Sequence, residues 1–112
     1  MIEFNFNSES KTLTCKFLDR MDTPNSHEAI KQVNEKLEEI PGKEPNTEDL
    51  KLDSIKVVFD LKGVHYISSS FLKLCILTAK KVDTGCFSII NTDPRTMKVF
   101  KISRLDEMLN VT

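Results

Sequence analysis

Three consecutive serines, Ser68, Ser69 and Ser70, stand between a strand-like and a helix-like apolar run in the stretch HYISSSFLKL. A hydroxyl at such a junction can cap a helix, accepting hydrogen bonds from the unpaired N–H groups of the first turn. It can also accept a phosphate, which brings about -1.5 to -2 charges and is favoured where a helix dipole and free N–H groups converge. A third possibility is nucleophilic attack by Ser69 or Ser70, with His65 and Asp60 drawn as base and orienting acid. That triad is disfavoured, because G-x-S-x-G is absent and residues so close along one loop rarely reach the required relative geometry. His65 is better explained as a loop residue packed against the end of a sheet, and Asp60 as a turn former.

Other chemistry has less support. The carboxylate pairs Asp19 with Asp22 and Glu38 with Glu39 read as turn and solvated-face residues. No P-loop glycine pattern and no G-x-G-x-x-G occurs, so nucleotide binding has no sequence basis. Two histidines and three dispersed cysteines make no recognisable metal site, and no cofactor is expected. Cys15, Cys75 and Cys86 form no C-x-x-C pair and fall among apolar neighbours, as reduced, mostly buried thiols of a cytoplasmic protein would. Sixteen Lys plus Arg against seventeen Asp plus Glu give a net charge of -1, which draws the chain to neither nucleic acid nor an anionic membrane. Lys73, Lys80 and Lys81 form a small basic flank with few aromatics nearby, as a solvated helix face does. No stretch approaches a transmembrane span, and the opening residues lack the features of a signal peptide.

The elements that must position the serines follow from periodicity. With 112 residues, 39% of them apolar, the chain suits one domain. Ile2, Phe4 and Phe6 alternate with polar residues, as do Leu13, Cys15 and Phe17 after a polar turn, which predicts an antiparallel strand pair. Thr23, Asn25 and Ser26 offer caps and Pro24 a first-turn residue, and Ile30, Val33, Leu37 and Ile40 recur at helical spacing, predicting a helix over 26–40. Residues 41–54, rich in charge and containing two prolines and a glycine, read as a long surface loop. Ile55 to Phe59 is nearly all apolar, like a central strand buried on both faces. A helix over 69–82, a strand over 86–91 and a helix capped by Asp93 and opened by Pro94 complete the order ββαβαβα. The fold class is therefore α/β, one mixed sheet with parallel central strands and an antiparallel edge pair.

On the second helix, at about 100° per residue, Phe71, Leu72, Cys75, Ile76, Ala79 and Val82 define the expected core stripe. Ser70, Leu74, Leu77 and Lys81 then share another row, with Leu74 and Leu77 projecting as a partly apolar surface stripe headed by Ser70. Ser68 takes the N-cap position, and Ser69 points about 100° away from the row. A phosphate on Ser70 would be tolerated by the helix start and would burden any partner covering the stripe.

These residues resemble a known family. IKVVFDLKGVHYISSSFLKL, followed by FSIINTDPRTMKVFKISRLDEML, is similar to the STAS domain of anti-sigma factor antagonists, whose pattern is a buried strand, "DLSGV", a "DSSGL" segment and a helix. LDRMDTPNSHEAIKQVNEKLEE looks like the family's second strand, "GxLD" turn and first helix, so the resemblance covers nearly all of the chain except 41–54. It implies that Ser70, at the second serine of "DSSGL", is the phosphorylation site, with Ser69 and Ser68 as lesser candidates. It also implies partner switching: the unmodified antagonist binds an anti-sigma factor that is itself a serine kinase, phosphorylation breaks the complex, and a serine phosphatase restores it. Asp22 matches the acidic residue of "GxLD", which lies near the phosphoserine loop and helps form the partner surface. Three positions depart from the pattern: Ser68 replaces its aspartate, Phe71 its glycine and Asp19 the glycine of the earlier turn. The acceptor hydroxyl remains.

The combined expectation is a STAS-like domain without catalysis of its own, with a docking surface of Asp22, Thr23, Ser69, Phe71, Leu74, Leu77 and Lys81. A weak homodimer is compatible with it, and neither nucleic acid nor membrane insertion is expected. The alternative is a non-switching scaffold or interaction subunit of a larger signalling or membrane-associated assembly.

Overall fold

The structure is a computed structural model and describes residues 2–18, 20–39, 55–83 and 85–112. The loop expected at 41–54, Ile40 and Asp19 lie outside those residues. Strand β1 (Ile2–Asn7) pairs antiparallel with β2 (Thr12–Phe17), in register from Ile2 opposite Phe17 to Asn7 opposite Thr12. The turn between them is closed by Asn7, whose Oδ1 accepts from the N–H groups of Glu9 at 3.0 Å and Ser10 at 3.2 Å, as an Asx turn requires.

Helix α1 (Thr23–Glu39) leads to β3 (Lys56–Asp60), helix α2 (Ser69–Ala79) to β4 (Phe87–Ile90), and α3 (Pro94–Ile102) follows. The sheet order is β1-β2-β3-β4, with β2, β3 and β4 mutually parallel. This is the mixed α/β arrangement with an antiparallel edge pair that the sequence predicts. Residues 110–112 extend the β4 edge: Val111 bridges Ile89 in parallel, and Thr112 N–H donates to the Ile89 carbonyl at 2.9 Å.

Helices α1 and α2 connect consecutive parallel neighbours and pack against each other, as crossovers of the usual single hand place them on one side of the sheet. Burial agrees, since Leu13, Cys15, Phe17, Val57, Phe59, Phe87 and Ile89 are buried in alternation with half-buried or exposed neighbours. The expectation that β3 is buried on both faces is therefore corrected. Val57 and Phe59 face the helices, whereas Val58 is only half-buried and Lys56 is exposed. In the core, the Phe17 ring meets Phe59 edge-on at 4.9 Å and Phe71 at 5.2 Å, and Phe59 meets Phe87 at 4.9 Å. Each such ring contributes about 1.5–3 kcal/mol from burial alone.

Two helix boundaries differ from expectation. Helix α1 begins at Thr23 instead of residue 26, because Asp22 takes the capping role: its Oδ1 accepts from Asn25 N–H at 3.0 Å and its carbonyl from Ser26 N–H at 2.8 Å. Pro24 then sits in the first turn, where its missing N–H costs nothing. Helix α2 ends at Ala79 instead of residue 82, and Val82 is buried beyond its end.

Candidate functional site

The parallel strands deliver their connections to one edge of the sheet, where ligands and partners of open α/β sheets generally bind. There the turn after β2 is joined to the segment before α2. Met21 N–H donates to the Tyr66 carbonyl at 2.9 Å and Ser68 N–H to the Met21 carbonyl at 2.8 Å, while Met21 and Ile67 form a short parallel bridge. Side chains reinforce the junction. Ser26 Oγ donates to the Met21 carbonyl at 3.1 Å and lies 3.2 Å from Ser68 Oγ, which accepts from Phe71 N–H at 3.3 Å. Each hydroxyl has one proton, so the chain has one direction: Phe71 N–H to Ser68, Ser68 to Ser26, Ser26 to the Met21 carbonyl.

The three serines are thereby separated in role. Ser68 is the N-cap of α2, as expected, and it is buried with its hydroxyl committed on both sides. Ser69 is exposed and Ser70 is half-buried in the first turn. Ser70 Oγ lies 3.5 Å from His27 Nε2 on the first turn of α1.

The docking stripe needs correcting. Phe71 and Leu74, expected to meet a partner, are fully buried at 0% and 1% exposure. The core stripe of α2 is Phe71, Leu74, Cys75 and Thr78, with Leu72, Ile76 and Ala79 only half-buried beside it. The cause is α1, which lies along the flank that Ser70, Leu74 and Lys81 share. His27 approaches Ser70, and Asn34, two turns further along α1, accepts from Lys81 Nζ. Ser70, Leu74 and Lys81 thus line a seam between the helices, and Phe71 fills the space between Phe17 and Phe59. Leu77 stays at the rim of this seam and is 39% exposed. Thr23 is exposed and Asp22 half-buried, with Arg20 Nε 3.7 Å from its carboxylate.

The residues that could be drawn as a triad have other partners. His65 Nδ1 lies 2.8 Å from Asp93 Oδ2, and Asp60 Oδ1 accepts from Lys62 N–H and Asn91 Nδ2, each at 3.0 Å. Asp93 caps α3 through Arg95 N–H at 2.8 Å. That backbone bond and the His65 contact hold its carboxyl down to about 2. A cleft of about 650 Å³ opens at this edge, lined by Arg20, His65, Tyr66, Arg95 and Thr96 among others, with the Arg20 guanidinium 4.7 Å above the Tyr66 ring. Burial pushes the Cys15 thiol up to about 12 and Cys75 well above its ordinary value, so neither is poised to react. Among the described residues, no group of three or more His, Cys, Asp or Glu could hold a metal ion, and no helix is long and apolar enough to cross a membrane.

Sequence reasoning missed Ser26, His27 and Asn34. In the sequence Ser26 reads only as a cap, and nothing in local periodicity connects His27 to a serine 43 residues away. No protein-family model matches the chain, and no curated protein matches it.

Proposed function

We propose that the chain is a STAS-like regulatory domain of the anti-sigma factor antagonist kind, working in the cytoplasm by protein binding and without catalysis of its own. Its partner is an anti-sigma factor with serine-kinase activity. Phosphorylation of Ser70 ends the complex and a serine phosphatase renews it.

The observation that supports this reading best is the placement of Ser70. Its hydroxyl is accessible in the first turn of α2, beside the Asp22–Thr23 turn that Met21 bonds to the segment before α2. Both segments that the resemblance assigns to partner binding therefore meet on one surface. With Phe71 and Leu74 in the core, that surface consists of Asp22, Thr23, Ser69, Ser70 and Leu77, with half-buried Lys81 at its edge.

The switching energetics follow from charge. A phosphate in the first helical turn is compatible with the fold, but a partner seated there must desolvate about -1.5 to -2 charges or meet them with a cation. A loss of about 3 kcal/mol would weaken binding more than a hundredfold.

The test is titration against candidate anti-sigma factor kinases. Ser70→Asp and Leu77→Lys should each keep the fold, by circular dichroism, and weaken binding tenfold or more, by about 1.4 kcal/mol. Wild-type affinity in both variants would contradict the proposal. The exposure of Leu77 also favours a second reading, a permanent interface of a scaffold subunit. In that case Leu77→Lys weakens binding and Ser70→Asp does not.

A further inference from the structure

His27 has no part in the function proposed above, yet its position is tightly set. Its neighbour Ser26 is fully buried and bonded to Ser68, two residues before Ser70. Met21 ties the same two segments together through backbone bonds at 2.8 and 2.9 Å. The joined backbones hold the first turns of α1 and α2 side by side, and His27 Nε2 lies 3.5 Å from Ser70 Oγ across them. His27 itself is exposed, so an added group on Ser70 has room beside it.

Resting on Ser70 as the modified residue, we infer that His27 is the internal receptor of the Ser70 phosphate. Nε2–H of the protonated imidazole donates to a phosphate oxygen, forming a charge-assisted bond. The backbone N–H groups of Ser69 and Ser70, which precede the Phe71 and Leu72 N–H groups that donate to Ser68, support the same anion. The phosphate then bridges the first turns of α1 and α2 and is satisfied within the chain. A cation supplied by a partner gains less from it, which reinforces the unbound state. Phosphorylation would thus act as an internal clasp as well as by repulsion.

The experiment uses purified full-length chain with phosphoserine incorporated at position 70 during translation, with and without His27→Gln. The phosphate is titrated by ³¹P NMR between about pH 5 and 8, where phosphoserine and imidazole change charge. By helical spacing, Glu28 and Lys31 on α1 and Lys73 on α2 neighbour the pair, and Asp22 with its ion-pair partner Arg20 lies at the start of α1. A neighbouring imidazolium favours the phosphate dianion, so the midpoint in the His27 protein should lie about half a pH unit or more below that of His27→Gln, a threefold change in proton affinity. Thermal unfolding should show His27→Gln lowering the Tm of the phosphorylated chain more than that of the unmodified chain. Equal midpoints and equal Tm changes would overturn the inference. The phosphate is installed without kinase or partner, so a chain never phosphorylated in its own cells would defeat the proposed function and leave this result standing.

Discussion

Ser68, Ser69 and Ser70 are adjacent in the chain and differ in what surrounds each hydroxyl. Ser68→Ala removes the cap on Phe71 N–H and leaves Ser26 Oγ without its donor, so urea unfolding should show a loss of about 1–2 kcal/mol. Ser69→Ala, on an exposed position, should stay within about 0.5 kcal/mol of wild type. Equal losses in the two variants would contradict the directed hydroxyl chain. Ser68 also bears on its departure from the family pattern, since aspartate and serine are both strong N-caps and the exchange preserves the capping role. Phe71 is the more consequential departure, because its ring occupies the core between Phe17 and Phe59. Phe71→Ala should cost about 3–5 kcal/mol in the same assay. The cap at Ser68 was legible because a serine before an apolar run satisfies a purely local need. The His27 contact was not, because it exists only once α1 is seated against α2.

At the scale of elements, α2 shows the limit of a helical wheel. Leucine, isoleucine, cysteine and phenylalanine occur nearly all round it, so spacing permits more than one core face, and the choice falls to whichever neighbour covers a flank. Helix α1 covers the flank carrying Leu74. Leu74→Ala should therefore destabilise by about 2–5 kcal/mol, while the same change at rim-exposed Leu77 should cost well under half as much. Helix α1 itself was legible from residue 26 onward, but its first turn depends on Asp22, which precedes the caps that the Thr-Pro-Asn-Ser stretch advertises. The start of the third helix is legible in the sequence because Asp93 and Pro94 define it locally. Asp93 also gives a pH prediction. Its folded value of about 2 lies below the ordinary 3.8, so its contribution to stability is fully present above pH 3.8 and is lost as pH falls from there through about 2. Urea midpoints of wild type and Asp93→Asn should accordingly converge across that window, and a constant gap would contradict the assigned cause.

For the molecule as a whole, the order ββαβαβα was legible because each element shows its own period and each boundary carries turn or cap residues. The one-sided sheet was not, since Ile55 to Phe59 reads as continuous apolar chain although Val58 faces away from the helices. The β4 extension was hidden because Val111 alone makes no strand pattern. The core makes a global prediction through its thiols: in the native protein Cys86 should be alkylated first, with Cys15 and Cys75 protected until the domain opens. Early modification of Cys75 would show that α2 detaches locally.

The central claim concerns Ser70 and is tested most directly by intact-mass analysis of the protein isolated from its own cells, with peptide mapping across residues 65 to 80. A fraction heavier by one phosphate, located on Ser70, is expected, and its size should change between growth and stress. If the serine run carries no modification under any such condition, the claim that Ser70 is a switch is contradicted.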